Sequence, residues 1–101
     1  MEVLAKSADR NLLLELEGEL DHHAAKDAIC QIERAIDAAL PKKLVLDMER
    51  VTFMDSSGIA LLIRSQQRMQ LLEGSIIVRN VPRQAKRVLD AAGIGRLISI
   101  Q

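Results

Sequence analysis

Phe53-Met54-Asp55-Ser56-Ser57-Gly58 sets two hydroxyls and a carboxylate between an apolar run, Leu44-Val45-Leu46, and a helix-like run from Ile59 to Leu72. Such groups at a loop-to-helix junction can act in two ways. As caps, they accept hydrogen bonds from the backbone N–H groups that a first helical turn leaves without partners. As a site, the same N–H groups and the helix dipole can host a phosphate. A serine there is then a phosphoacceptor or a nucleophile. The local sequence leaves both readings open.

Other chemistry is weaker. A serine hydrolase of the G-x-S-x-G type needs a glycine two residues before its nucleophile, and a histidine base. Here the stretch reads Met54-Asp55-Ser56-Ser57-Gly58, and the only histidines are His22 and His23, side by side. Adjacent residues on a helix diverge by about 100°, so this pair does not make a metal site, and no metal ligand set is expected. They read as polar residues of a first helical turn. Asp47 ends an apolar run as the phosphoacceptor of a receiver domain does. The acidic pair and the late lysine of such a domain are missing, so Asp47 reads as a buried or loop-capping carboxylate. Gly93-Ile94-Gly95 lacks the third glycine and the preceding strand of a dinucleotide fingerprint. It reads as a helix stop and a turn. Cys30 has no activating neighbour and reads as a small packing residue. No cofactor is expected.

These residues need elements to hold them. Glu2 to Ala5 is a short strand, followed by a polar turn from Lys6 to Arg10. Asn11 to Glu19 alternates, with Leu12, Leu14 and Leu16 on one face, which predicts a half-buried strand. Asp21 is placed to cap a helix from His22 to Leu40, whose stripe is Ile29, Ile32, Ile36 and Leu40. Pro41 ends it. Lys43 to Asp47 is a buried strand. Ile59 to Leu72 is a second helix, closed by Glu73-Gly74. Ser75 to Arg79 is a β-branched strand. Pro82 opens a third helix that Gly93 caps, and Leu97 to Ile100 is a last short strand. The order β-β-α-β-α-β-α-β predicts one α/β domain over residues 1–101. Its sheet is mixed and mainly parallel, its first two strands antiparallel, with helices packed on it.

Composition limits the partners. The chain has 101 residues, of which 49% are hydrophobic, with one Phe, Phe53, and no Trp or Tyr. The core must therefore be aliphatic, and stacking platforms for bases are absent. The formal net charge is zero, which argues against nucleic-acid binding. A single cysteine excludes an internal disulfide and suits a reducing compartment. The N-terminus, Met1-Glu2-Val3-Leu4, has no basic region, and no run reaches transmembrane length. The expectation is a cytoplasmic protein without membrane contact. Ile59-Ala60-Leu61-Leu62-Ile63 is apolar all round, so it is either wedged in the core or offers a partner an apolar patch. Arg64 and Arg68 would flank that patch.

Gly18-Glu19-Leu20-Asp21-His22-His23 and Phe53-Met54-Asp55-Ser56-Ser57-Gly58 together resemble the anti-sigma factor antagonist family, the STAS domain. The likeness is greatest to its sporulation branch, the antagonists of the anti-sigma F factor, and the element order fits over essentially the whole chain. The resemblance implies a non-enzymatic regulator of transcription. Its unphosphorylated form binds an anti-sigma factor that is also an ATP-dependent serine kinase, and so frees the sigma factor. Phosphorylation of Ser57, the second serine of the motif, switches it off, and a serine phosphatase restores it. The partner-binding surface implied is Asp21, Asp55, Ser56, Ser57, Gly58 and Ile59. Ser57 is expected at the exposed lip of the helix, with Ser56 turned inward as a cap. Two other readings remain. One is a STAS module of another assembly, such as a stress-signalling complex or a transporter accessory subunit. The other is a small serine-dependent hydrolase or nucleotide-binding enzyme.

Overall fold

The computed structural model describes residues 1–101. Five strands form one sheet in the order β1-β2-β3-β4-β5: β1 (Glu2–Ala8), β2 (Asn11–Leu20), β3 (Lys43–Met54), β4 (Ser75–Arg79) and β5 (Ser99–Ile100). β1 runs antiparallel to β2, and the other pairings are parallel. The helices α1 (His22–Ala39), α2 (Ser56–Leu71) and α3 (Arg83–Ala92) join successive parallel strands. The mixed, mainly parallel α/β sheet expected from the element order is the sheet observed.

The alternation in the strands decides which face is buried. In the parallel register Leu12, Leu44 and Ile76 lie side by side, as do Leu14, Leu46 and Val78. All six are buried. Their neighbours Leu13, Val45 and Ile77 stay half-exposed. Each crossover moves one strand further in the same direction, and right-handed crossovers then stack the helices on one face. α1 contributes Ala25, Ala28, Ile32 and Ile36 to the core, α2 contributes Leu61, Leu62 and Met69, and α3 contributes Ala85 and Leu89. No aromatic side chain is in this core.

Four boundaries differ from the sequence expectation. β1 continues to Ala8, and only Asp9 and Arg10, both at positive φ, make the turn. β3 continues past Asp47 to Met54. Its exposed Glu49, Arg50, Thr52 and Phe53 interrupt the apolar run, while the pairing to β2 persists through register shifts near Glu17 and Gly18. α2 starts at Ser56, so the serines are in the first helical turn, not before it. The last strand is only Ser99–Ile100, because Ile94–Arg96 forms a 3-10 turn. The other end signals hold. Gly93 sits at φ 68°, a left-handed position that glycine takes without strain, and stops α3. Leu40 ends α1 just before Pro41, also left-handed.

Candidate functional site

β2 and β3 end level with each other, Leu20 beside Met54. Each strand is followed at once by an Asp and then by a helix. The register therefore brings two helix starts together, and with them Asp21 and Asp55. Asp21 caps α1, its carboxylate accepting from the Ala24 N–H at 3.0 Å. Asp55 caps α2, accepting from the Ser57 N–H at 2.8 Å. Its other oxygen accepts from the His22 N–H at 3.1 Å, on α1. One carboxylate thus binds the N-terminal turns of two helices, and the Asp55 N–H donates to the Leu20 carbonyl at 3.3 Å. Both helix dipoles present their positive ends here.

The serines are placed differently from the expectation. Ser56 is exposed and Ser57 half-buried. Neither hydroxyl makes a hydrogen bond within the chain, because Asp55 performs the capping that was expected of Ser56. A carboxylate has two acceptor oxygens to spend on two helices, where a serine has one. The Ser57 hydroxyl is not sealed from solvent, since the one buried side-chain polar atom without a partner is Arg68 Nε. Gly58 is buried for a steric reason. A Cβ there would sit 2.6 Å from Met54 Cγ and 3.1 Å from Leu20 Cδ2.

The apolar start of α2 resolves mostly into core. Leu61 and Leu62 are fully buried and Ala60 is exposed. Half-buried Ile59 lines an open groove of about 610 Å³ with Gln84, Arg87, Val88, Ala91 and Ala92 of α3. Arg64 and Arg68 do not flank this patch. They reach across to α1, Arg64 to Glu33 at 3.0 Å and Arg68 to Asp37 at 3.1 Å. Cys30 does not pack in the core but is exposed. Phe53 is also partly exposed, at 41%, next to the site.

One residue that the sequence did not single out helps to fix the site, and another braces β3 against β4. Gln84 binds both backbone groups of Met54, and Arg79 binds Asp47. Both are polar residues with nothing in their spacing to mark them. Asp47 is buried, and burial alone would raise its carboxyl. The Glu49 N–H, Arg79 and Asn80 outweigh that and hold it below its ordinary value. The two histidines are exposed at the start of α1, and their rings make no hydrogen bond to either serine. No group of three or more His, Cys, Asp or Glu side chains is gathered to hold a metal ion. No helix is long and apolar enough to cross a membrane.

The chain is similar to known proteins. A family model described as the STAS domain matches residues 2–101. The anti-sigma F factor antagonist of Paenibacillus polymyxa is 30% identical over 89 residues, which cover 88% of this chain and 76% of that protein. The solved structure of the anti-sigma factor antagonist SpoIIAA in its unphosphorylated form superposes with a TM-score of 0.83 at 27% identity, covering 99% of this chain and 88% of that one. The phosphorylated form of the Bacillus cell fate determinant SpoIIAA gives 0.73 at the same identity, covering 99% and 91%.

Proposed function

The chain belongs to the STAS domain family of anti-sigma factor antagonists, and from that premise we propose that it is a binding module switched by phosphorylation of Ser57. Proteins of this kind are regulators, not enzymes. In the proposed cycle the unphosphorylated chain binds an anti-sigma factor that doubles as an ATP-dependent serine kinase, and its sigma factor is released. A serine phosphatase reverses the modification. A cytoplasmic location and a role in sporulation belong to the same reading.

The observation that carries it is the free Ser57 hydroxyl, in a helix's first turn, beside two helix N-termini and an unneutralised carboxylate. A phosphate on Ser57 adds about −1.5 to −2 charges. The helix ends tolerate that charge, so the domain keeps its fold. A docked partner does not tolerate it. Asp55 is itself an anion, held only by backbone N–H groups and without an ion pair, so it adds repulsion. Burying a phosphate beside it without a counter-charge costs several kcal/mol, and about 3 kcal/mol is already more than a hundredfold in affinity. The switch is then local and electrostatic. The docking surface centres on Asp21, Asp55, Ser56, Ser57 and Ile59, with exposed Phe53 beside them, and Gly58, implied by the resemblance as a contact, is instead buried beneath it.

The greater exposure of Ser56 favours one competing assignment, with Ser56 as the acceptor. Incubation with the cognate anti-sigma kinase and ATP, followed by peptide mapping, decides between them. Phosphate on Ser57 is the expected result. Phosphate on Ser56 moves the switch by one residue, and no phosphate on either serine refutes it.

A further inference from the structure

Beyond Asp47, β3 loses its neighbour on one side. The last β3–β4 pair is Asp47 with Arg79, yet β3 continues to Met54. A strand edge buried without partners is costly, because each peptide unit carries a donor and an acceptor. At Met54 a side chain takes the place of the missing strand. The Met54 N–H donates to Gln84 Oε1 at 2.8 Å, and Gln84 Nε2 donates to the Met54 carbonyl at 2.8 Å. A primary amide has the same donor and acceptor pair as a peptide unit, so one glutamine satisfies both. Gln84 is in the first turn of α3, which thereby grips the last residue of β3 before the Asp55-Ser56-Ser57 segment.

We infer that Gln84 is a positioning residue for the phosphoacceptor, an inference that rests on the proposed phosphorylation of Ser57. Two links carry position from Met54 to Ser57. Through the chain, Asp55 follows Met54 and binds the Ser57 N–H. Through packing, the Met54 side chain fills the space under Gly58, where no Cβ fits. The Gly58 N–H also donates back to the Asp55 carbonyl at 3.0 Å. Fixing both backbone groups of Met54 therefore fixes where the first turn of α2 rests. A kinase must set Ser57 Oγ in line with the γ-phosphoryl group of ATP. The hydroxyl proton passes to a base of the kinase, the Oγ–P bond forms as the bond from the γ-phosphorus to the β,γ-bridging oxygen breaks, and ADP leaves. That geometry is unforgiving, since a misplacement of about 1 Å can cost on the order of a hundredfold in rate.

The test uses Gln84→Leu, which removes both bonds at similar size, and Gln84→Glu, which keeps an acceptor for the Met54 N–H but faces the Met54 carbonyl with an oxygen. Residue-resolved amide exchange is measured on the isolated full chain, and Ser57 phosphorylation with the cognate anti-sigma kinase and ATP. In Gln84→Leu the Met54 and Gly58 amides are expected to exchange at least about tenfold faster, with Ile76 and Val78 unchanged. The kcat for Ser57 is expected to fall about tenfold, with KM within about twofold. Gln84→Glu should fall between this variant and wild type. An unchanged kcat despite faster local exchange overturns the inference. So does a raised KM at constant kcat, which would make Gln84 a partner contact. If Gln84→Leu also exposes Ile76 and Val78, the domain has opened and Gln84→Glu decides, a wild-type kcat in that variant being fatal. If the wild-type chain takes no phosphate on Ser57, the functional reading fails instead, and the inference falls with it while the exchange data still report whether Gln84 tethers Met54.

Discussion

Asp47 and Asp55 belong to the same stretch of chain, one within β3 and one just after it, and they do opposite work. Asp47 is neutralised. It is nearly inaccessible and accepts from the Glu49 N–H at 3.0 Å, from Arg79 Nε at 3.2 Å and from Asn80 Nδ2 at 3.2 Å. Asp55 is half-buried and has no cation. Its carboxylate accepts only from the Ser57 and His22 N–H groups, at 2.8 and 3.1 Å. The first carboxylate ties β3 to the end of β4. The second ties two helix starts together and leaves its charge beside a free serine hydroxyl. A carboxylate with its own guanidinium is a structural bolt. One held only by peptide dipoles stays available as a source of repulsion.

The comparison breaks most visibly at Asp55. Asp55→Ala removes the cap of α2 and the tie to α1 together. At roughly 1 kcal/mol for each capping bond, the expected loss is about 2 kcal/mol, and the melting temperature should fall by about 8–16 °C. Thermal unfolding followed by circular dichroism reads it. A loss below about 0.5 kcal/mol would mean that the carboxylate does not join the helices.

Asp47→Asn comes next. It keeps an acceptor for the Glu49 N–H but loses the charge that Arg79 and Asn80 bind, an expected cost of about 1.5 kcal/mol at neutral pH. Its pH signature is distinctive. The folded carboxyl titrates below its ordinary value, so ionised Asp47 stabilises the fold fully above about pH 4. That contribution drains away as pH falls through the depressed folded value. Stability plotted against pH should therefore drop less steeply below about pH 4 in Asp47→Asn than in wild type. Parallel acid limbs in the two proteins would remove the distinction between the carboxylates.

Much of this is legible in the sequence. Alternation in Asn11 to Glu19 marked the buried face of β2, Asp21 and Gly93 marked helix ends, and element order dictated a mainly parallel sheet. What stayed hidden depended on partners distant in sequence. The second half of β3 does not read as a strand because register shifts in its pairing to β2 break the two-residue alternation and leave Met48, Val51 and Met54 buried three apart. The division of labour between Asp55 and the serines is set by α1 lying alongside, which local capping rules do not contain. Gln84 was invisible because a glutamine on a polar helix face looks the same whether it meets water or a strand edge. Arg64 and Arg68 were misjudged for the same reason. Their partners Glu33 and Asp37 are on another helix.

Asp21 sharpens the contrast from the other side. Asp21→Asn keeps an oxygen for the Ala24 N–H, and Asn caps about as well as Asp. The stability change should stay within about 0.5 kcal/mol. If the Asp21 charge meets a basic residue of the anti-sigma factor, losing it should weaken binding at least about tenfold, or about 1.4 kcal/mol. Calorimetric titration of the purified pair measures it. Unchanged affinity would leave Asp21 as a cap alone and narrow the surface to the start of α2.

The smallest effect on the fold should come from the residue with the largest proposed role. The Ser57 hydroxyl makes no hydrogen bond in the chain, and the capping bond at that position uses the backbone N–H, which every substitution except proline retains. Ser57→Ala removes an unbonded group and adds a slightly better helix former. The stability change should be within about 0.5 kcal/mol of zero. The variant should bind the anti-sigma factor as wild type does and should not be released on addition of ATP. Ser57→Asp should keep the same circular dichroism while binding more weakly, since it adds a charge beside Asp55 at a helix start that tolerates it. The pair of variants separates a local electrostatic switch from a conformational one. If Ser57→Asp melts the domain, the helix ends do not absorb the charge. The proposed division between a neutralised Asp47 and a repulsive Asp55 would then no longer explain how the switch works.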